Sequence, residues 1–189
     1  MIYAEELEKM NESLRVYDVV QGVWEQEPNG PEANMRHVLT HLSKDLIGKD
    51  FTDKELVRTA IAPDSVAYGL RLGRWADLET SELVHMTAVE EDARNQAESG
   101  LPQLPNGFAS FAGGMSILAQ YLHELDHEKT RSDMQTRFAT QTTMTSAARL
   151  LINSASIQSF QYGFTLVDAF EARLDSLRTR FKVPKPNNE

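Results

Sequence analysis

His123-Glu124-Leu125-Asp126-His127 carries more potential chemistry than any other segment of this chain. Residues four apart on a helix share a face, so the segment sets two imidazoles one turn apart with a carboxylate beside the first, the H-E-x-x-H spelling of zinc hydrolases. In that chemistry both histidines bind Zn²⁺ through ring nitrogens, and the glutamate polarises a metal-bound water whose pKa falls to about 7. The expected metal ligands are therefore His123, Glu124 and His127, with Glu124 also a candidate catalytic residue. A catalytic zinc needs a third protein ligand. The chain has no cysteine, His85 lies far upstream, and the downstream acids are Glu128, Asp133, Asp168 and Glu171. The plainer reading carries more weight: Glu124, Asp126, His127 and Glu128 form a solvated face over a core side of Ile117, Leu118, Tyr121, Leu122 and Leu125.

A second pair at the same spacing, His37 and His41, puts four of the five histidines into two i,i+4 pairs. Beside Lys44 and Asp45, this pair reads as a polar or half-buried helix face. The run Glu90-Glu91-Asp92 reads as ordinary helix surface. Trp24 and Trp75 read as core or interface anchors.

The elements that must position these residues are helices. Apolar residues recur at three-and-four spacing and never alternate for long, so the fold class is all-α, a bundle of about six to eight helices. Leu7, Met10, Leu14, Tyr17 and Val20 or Gln21 mark one stripe from Glu5 to about Val23, and Pro28-Asn29-Gly30-Pro31 ends it. Met35, Val38, Leu39, Leu42 and Leu46 mark the next, which closes at Gly48. Thr52-Asp53-Lys54-Glu55 spells a capping box, with Thr52 as the cap and Glu55 reaching back. Pro63 either kinks the following helix or starts a new one with Ala62 as the turn. Thr80-Ser81-Glu82 opens a helix to about Ser99. Two prolines and two glycines between Gly100 and Gly107 make the best internal boundary. The expected organisation is an N-terminal helical half over 1–99, a linker over 100–107, a C-terminal half over 108–182 and a loose tail over 183–189. Within the second half the expected helices run from Phe108 to about Thr130, from about Ser132 to Phe160, and from Leu166 to Phe181 with Thr165 as cap. Superposing the histidine pairs offsets the halves by 86 residues (123 − 37) and leaves a duplication open.

Composition narrows the function. At 189 residues and 41% hydrophobic content the chain can bury a real core, and its formal charge of −9 argues against nucleic acid or an anionic membrane as the main partner. The lack of cysteine removes thiolate chemistry and suits a reducing cytosol. The expected setting is cytoplasmic.

The order of elements resembles the all-α nucleoside triphosphate pyrophosphohydrolases of the MazG type. Gly163-Phe-Thr-Leu166 leading into Val167-Asp168-Ala169-Phe170, and the ending Arg178-Thr-Arg180-Phe181, are similar to that family's closing Gly-Ile-Asp-Leu helix. Asp64 in Ala62-Pro63-Asp64, followed by Tyr68 and Leu70-Arg71-Leu72, resembles in outline the helix of the second acidic motif. The resemblance implies a nucleotide partner, a homo-oligomer, most simply a dimer, and Asp64 as a catalytic acid. It also implies Mg²⁺ or Mn²⁺ on a triphosphate, with Zn²⁺ the third candidate for the histidine-rich site. The family's remaining acids are not retained: the first motif falls on His123, Glu124 and His127 or around His37 to Lys44, and the second near Ala147 and Leu150. The expected function is a MazG-like, nucleotide-associated protein with divergent or lost catalysis. The alternatives are a helical interaction scaffold and a zinc-dependent hydrolase. The H-E-L-D-H spelling is also similar to peptide deformylases, but the cysteine ligand and glycine-rich loop of that family are absent.

Overall fold

The computed structural model describes residues 2–21, 30–83, 106–127 and 133–182. About nine-tenths of these are helical, so the three-and-four spacing identified the fold class: an all-α bundle. Among the described residues no helix is long and apolar enough to cross a membrane.

Helix α1 spans Ala4–Gln21 and buries Leu7, Met10, Leu14 and Tyr17, but Val20, expected at the end of that stripe, is exposed. Helix α2, Gly30–Gly48, begins at a glycine with φ +74°, a backbone setting that suits a residue without Cβ, and buries Met35, Val38 and Leu42. The next helix starts differently from the expected capping box. Asp53, not Thr52, is the cap: its carboxylate accepts the amide N–H of Glu55 at 2.9 Å and of Leu56 at 3.1 Å. Thr52 instead donates its amide and hydroxyl to Asp50 at 2.8 and 2.7 Å, and Glu55 pairs with Arg58. An aspartate at the adjacent position outcompeted the threonine because its charged oxygen serves two orphan N–H groups at once.

From that cap the chain stays helical to Trp75. Helix α3, Lys54–Leu56, passes into a π-helical stretch, Val57–Ile61, and on into α4, Ala62–Trp75. Pro63 sits in the first turn of α4 without a turn at Ala62. A proline ring crowds the carbonyl four residues back, and a wider π turn immediately upstream accommodates it. Helix α4 is the most enclosed element, burying residues on every side from Ala62 to Gly73. Helix α5, described over Thr80–Leu83, follows, and the rest of the helix expected to about Ser99 lies outside the described residues.

The later half holds α6, Asn106–His127, α7, Asp133–Tyr162, and α8, Leu166–Phe181. Gly163, at φ +67°, makes the turn between α7 and α8. Asn106 and Gly107 belong to α6 rather than to the expected linker, and 100–105 lie outside the described residues. Helix α7 is the central post, with α6 and α4 both packed against it. Close approach explains two glycines: a Cβ on Gly69 would stand 2.8 Å from Ile152 Cγ1, and one on Gly107 would stand 2.3 Å from Gln158 Cγ and 2.8 Å from the Ser154 carbonyl. Ser154 Oγ also donates to the Gly107 carbonyl at 2.6 Å. One apolar core runs from Leu7 and Leu14 through Leu70 and Phe111 to Leu151 and Phe170, joining residues on both sides of the 84–105 segment.

Candidate functional site

The polar residues that this core does not exclude gather where α1, α2, α4 and α8 meet. On α4, Asp64, Tyr68, Arg71 and Arg74 follow one another at steps of four, three and three, a single polar stripe along an otherwise buried helix. Each finds a partner on another element. Asp64 accepts a two-pronged contact from Arg173 of α8, Nε to Oδ1 at 2.9 Å and NH2 to Oδ2 at 2.8 Å. Lys49, just past α2, reaches Asp64 Oδ2 at 3.2 Å and Asp45 Oδ1 at 2.6 Å. Asp18 of α1, only 2% exposed, takes Arg71 through Nε at 3.2 Å and NH2 at 2.5 Å, and Arg74 as well.

Aromatic groups complete the cluster. The His37 and His41 rings lie 4.5 Å apart, His41 lies 5.7 Å from the Tyr68 ring, and the Arg71 guanidinium stands 5.5 Å from the Tyr68 centroid. The result is a short ladder of rings from exposed His37 inward to Tyr68, ending on a cation in the geometry of a cation–π contact. Partial burial lowers both imidazoles below their usual value; for His37 the neighbours His41, Arg71 and Lys44 add to this, for His41 Lys44 and Arg71, while Asp64 opposes it. Both histidines are therefore mostly neutral near pH 7. Burial pushes the Tyr68 phenol well above its usual range, so it is a hydrogen-bond donor rather than an anion. Burial also raises the Asp45 carboxyl, with Lys49 pulling back and Asp64 adding to the rise.

The cluster has a positive balance. Lys49, Arg71, Arg74 and Arg173 pair with Asp18, Asp45 and Asp64, four cations against three carboxylates, with Lys44 close enough to act on the histidines, in a chain whose total is −9. Ring faces beside a local positive excess can stack a planar base and neutralise phosphate oxygens.

The H-E-L-D-H segment has other surroundings. His123 and His127 lie with ring centroids 4.4 Å apart on the last turns of α6, and Glu124 accepts from Gln120 of the same helix at 3.1 Å. Asp126 receives Arg36 of α2 at 2.5 Å across an open groove of about 400 Å³, whose lining includes Leu39, Thr40, Leu122 and His123. Leu118, Tyr121 and Leu122 are buried beneath, while His123, Asp126 and His127 are exposed and Glu124 is half-buried. Among the described residues no three His, Asp or Glu side chains are grouped as ligands for one ion, so His123, Glu124 and His127 do not form such a group. Asp64 is held by Lys49 and Arg173, and Glu124 accepts from Gln120. Of the other residues weighed for a role, Asp168 is exposed on α8; Trp24, His85, Glu128 and the Glu90-Glu91-Asp92 run lie outside the described residues.

Lys49, Tyr68, Arg173 and Asp18 were not expected at a site. The Asp45 to Lys49 spacing and the polar stripe on α4 were signals present in the sequence. Nothing local marks Arg173, which reaches Asp64 across 109 residues. No protein-family model matches the chain, and neither does any curated protein or solved structure.

Proposed function

We propose that this chain is a MazG-like, nucleotide-associated helical protein whose pyrophosphohydrolase chemistry is divergent or lost. The observation that carries the reading is the ladder of His37, His41 and Tyr68 beside a cationic cluster in an acidic protein. A base stacks on the exposed imidazole, and Arg and Lys side chains take the phosphates. Asp64 supports a loss of turnover: its carboxylate, which in the resembled family would hold a metal, is engaged by two cations of its own chain. A cytosolic setting suits both the ligand and the absence of cysteine.

A thermal-shift panel of nucleotides, with and without divalent metals, tests the reading, because a ligand that binds only the folded state raises stability with the logarithm of its concentration over Kd. At least one nucleotide raises the melting temperature; if none does under any metal condition, the nucleotide reading fails. A divergent active enzyme would release pyrophosphate with Mg²⁺ or Mn²⁺ and lose that activity on Asp64→Asn or Glu124→Gln, whereas a degenerate one binds without turnover.

A partner-binding helical protein is the second reading, favoured by Met134 and Phe138, which stand one turn apart on α7 and are 80% and 73% exposed. Under either reading we expect a two-fold homodimer, and sedimentation equilibrium showing a monomer at all concentrations would refute it. The zinc-hydrolase alternative requires stoichiometric metal in untagged protein that disappears in a His123→Ala, His127→Ala double variant.

A further inference from the structure

Both oxygens of Asp64 already face a cation: Oδ1 accepts Arg173 Nε at 2.9 Å, and Oδ2 accepts Arg173 NH2 at 2.8 Å and Lys49 Nζ at 3.2 Å. Asp45, the acid on the facing helix, is engaged by the same ammonium at 2.6 Å. Mg²⁺ needs oxygen ligands at about 2.0–2.1 Å in a near-octahedral shell, so an ion on these carboxylates would share their oxygens with an ammonium and a guanidinium of like sign. The donor set does not fit a divalent cation. It does fit an anion: an ammonium carries three protons, of which Asp45 and Asp64 take two, and the Arg173 fork on Asp64 uses Nε and NH2 and leaves NH1 over. Lys49 and Arg173 are 19% and 25% exposed, within reach of a ligand from solvent.

We infer, resting on the nucleotide reading above, that this cluster takes the phosphate groups of its ligand without a divalent cation, through the N–H donors of Lys49 and Arg173 that the two carboxylates leave over. Asp45 and Asp64 then serve as positioning residues that hold the two cations in place between ligands. An incoming phosphate adds charge-assisted hydrogen bonds to donors already aligned.

Isothermal titration of the full chain with tripolyphosphate, which needs no base recognition, and with ATP, each in EDTA and in Mg²⁺, tests the inference. The expected result is binding in EDTA with a Kd within about threefold of that in Mg²⁺. Lys49→Met is expected to weaken binding in EDTA by about tenfold, the loss of one charged donor, and Lys49→Arg to stay within about threefold of the parent. Circular dichroism verifies that each variant folds, and the parent comparison stands without them. Binding that requires Mg²⁺ overturns the inference and leaves the nucleotide reading intact. Equal affinity for parent and folded Lys49→Met in EDTA removes Lys49 from the role. No binding of either probe in either condition overturns the inference together with the nucleotide reading.

Discussion

The two histidine pairs have the same spacing and unlike neighbourhoods. His41 lies between His37 and Tyr68 of α4, with Lys44 and Arg71 close enough to lower the pKa values of both histidines. His123 and His127 stand exposed at the end of α6, where the described contact across to α2 is made by Asp126 with Arg36. Spacing on a helix fixes which residues share a face; the elements packed against that face decide what the shared face can do. Helix α2 lies beside a helix with a polar stripe, whereas α6 turns its apolar side to the core and its histidines outward.

If buried polar partners distinguish the first region, removing one should cost far more than any change at the second. Asp18→Ala leaves Arg71 almost fully buried without its carboxylate, and urea denaturation should record a loss of about 3–5 kcal/mol. A loss no larger than that of an exposed pair would mean that Arg71 finds water or another acceptor. The placement of α6 rests on packing at its other end. Gly107→Ala forces a methyl against Gln158 and the Ser154 carbonyl, and the same measurement should show about 1–3 kcal/mol. An unchanged midpoint would show that the α6–α7 contact relaxes freely.

Within the first region the pH dependence differs in sign between the histidines and Asp45. Folded-state values for His37 and His41 lie below the ordinary 6.5, so the unfolded chain takes up protons first, and their contribution to stability is complete above about 6.5 and lost as pH falls from there toward the folded values. Asp45 works in the opposite sense. Its raised folded value lets the native state bind a proton first, adding stability as pH falls through that value toward 3.8. A His41→Gln variant should therefore show a flatter stability profile between neutral pH and about 6. An identical slope would assign the titration to other groups. At the second region the effects are smallest: His123→Ala and His127→Ala should each change stability by no more than about 0.5 kcal/mol, as surface substitutions do, and Asp126→Ala should leave the melting temperature close to that of the parent.

Much of the fold was legible. Burial at Leu7, Met10, Leu14 and Tyr17, at Met35, Val38 and Leu42, and at Leu166, Phe170 and Leu174 follows from three-and-four spacing, whereas Val20 and Phe181, which the same spacing places on the ends of two of these stripes, are exposed. Helix starts were less so, because Thr52 and Asp53 are both good caps and only local geometry chose between them. Pro63 was ambiguous because a π turn, which has no simple sequence pattern, absorbs it. The candidate site was legible only in part. His37, His41 and Asp64 were visible as residues with chemistry, but Arg173, the partner of Asp64, was not, because no local rule joins positions 109 apart. The H-E-L-D-H spelling drew attention through its local pattern, which is the kind of signal that carries no information about a third ligand.

Histidine side-chain NMR tests the central claim most directly, since the imidazole signals of both pairs can be followed in one sample. On addition of the nucleotide that gives the largest thermal shift, the account predicts that the ring signals of His37 and His41 move with the binding curve while those of His123 and His127 stay in place. Movement of His123 and His127 alone, or of no histidine while the nucleotide demonstrably binds, would contradict it.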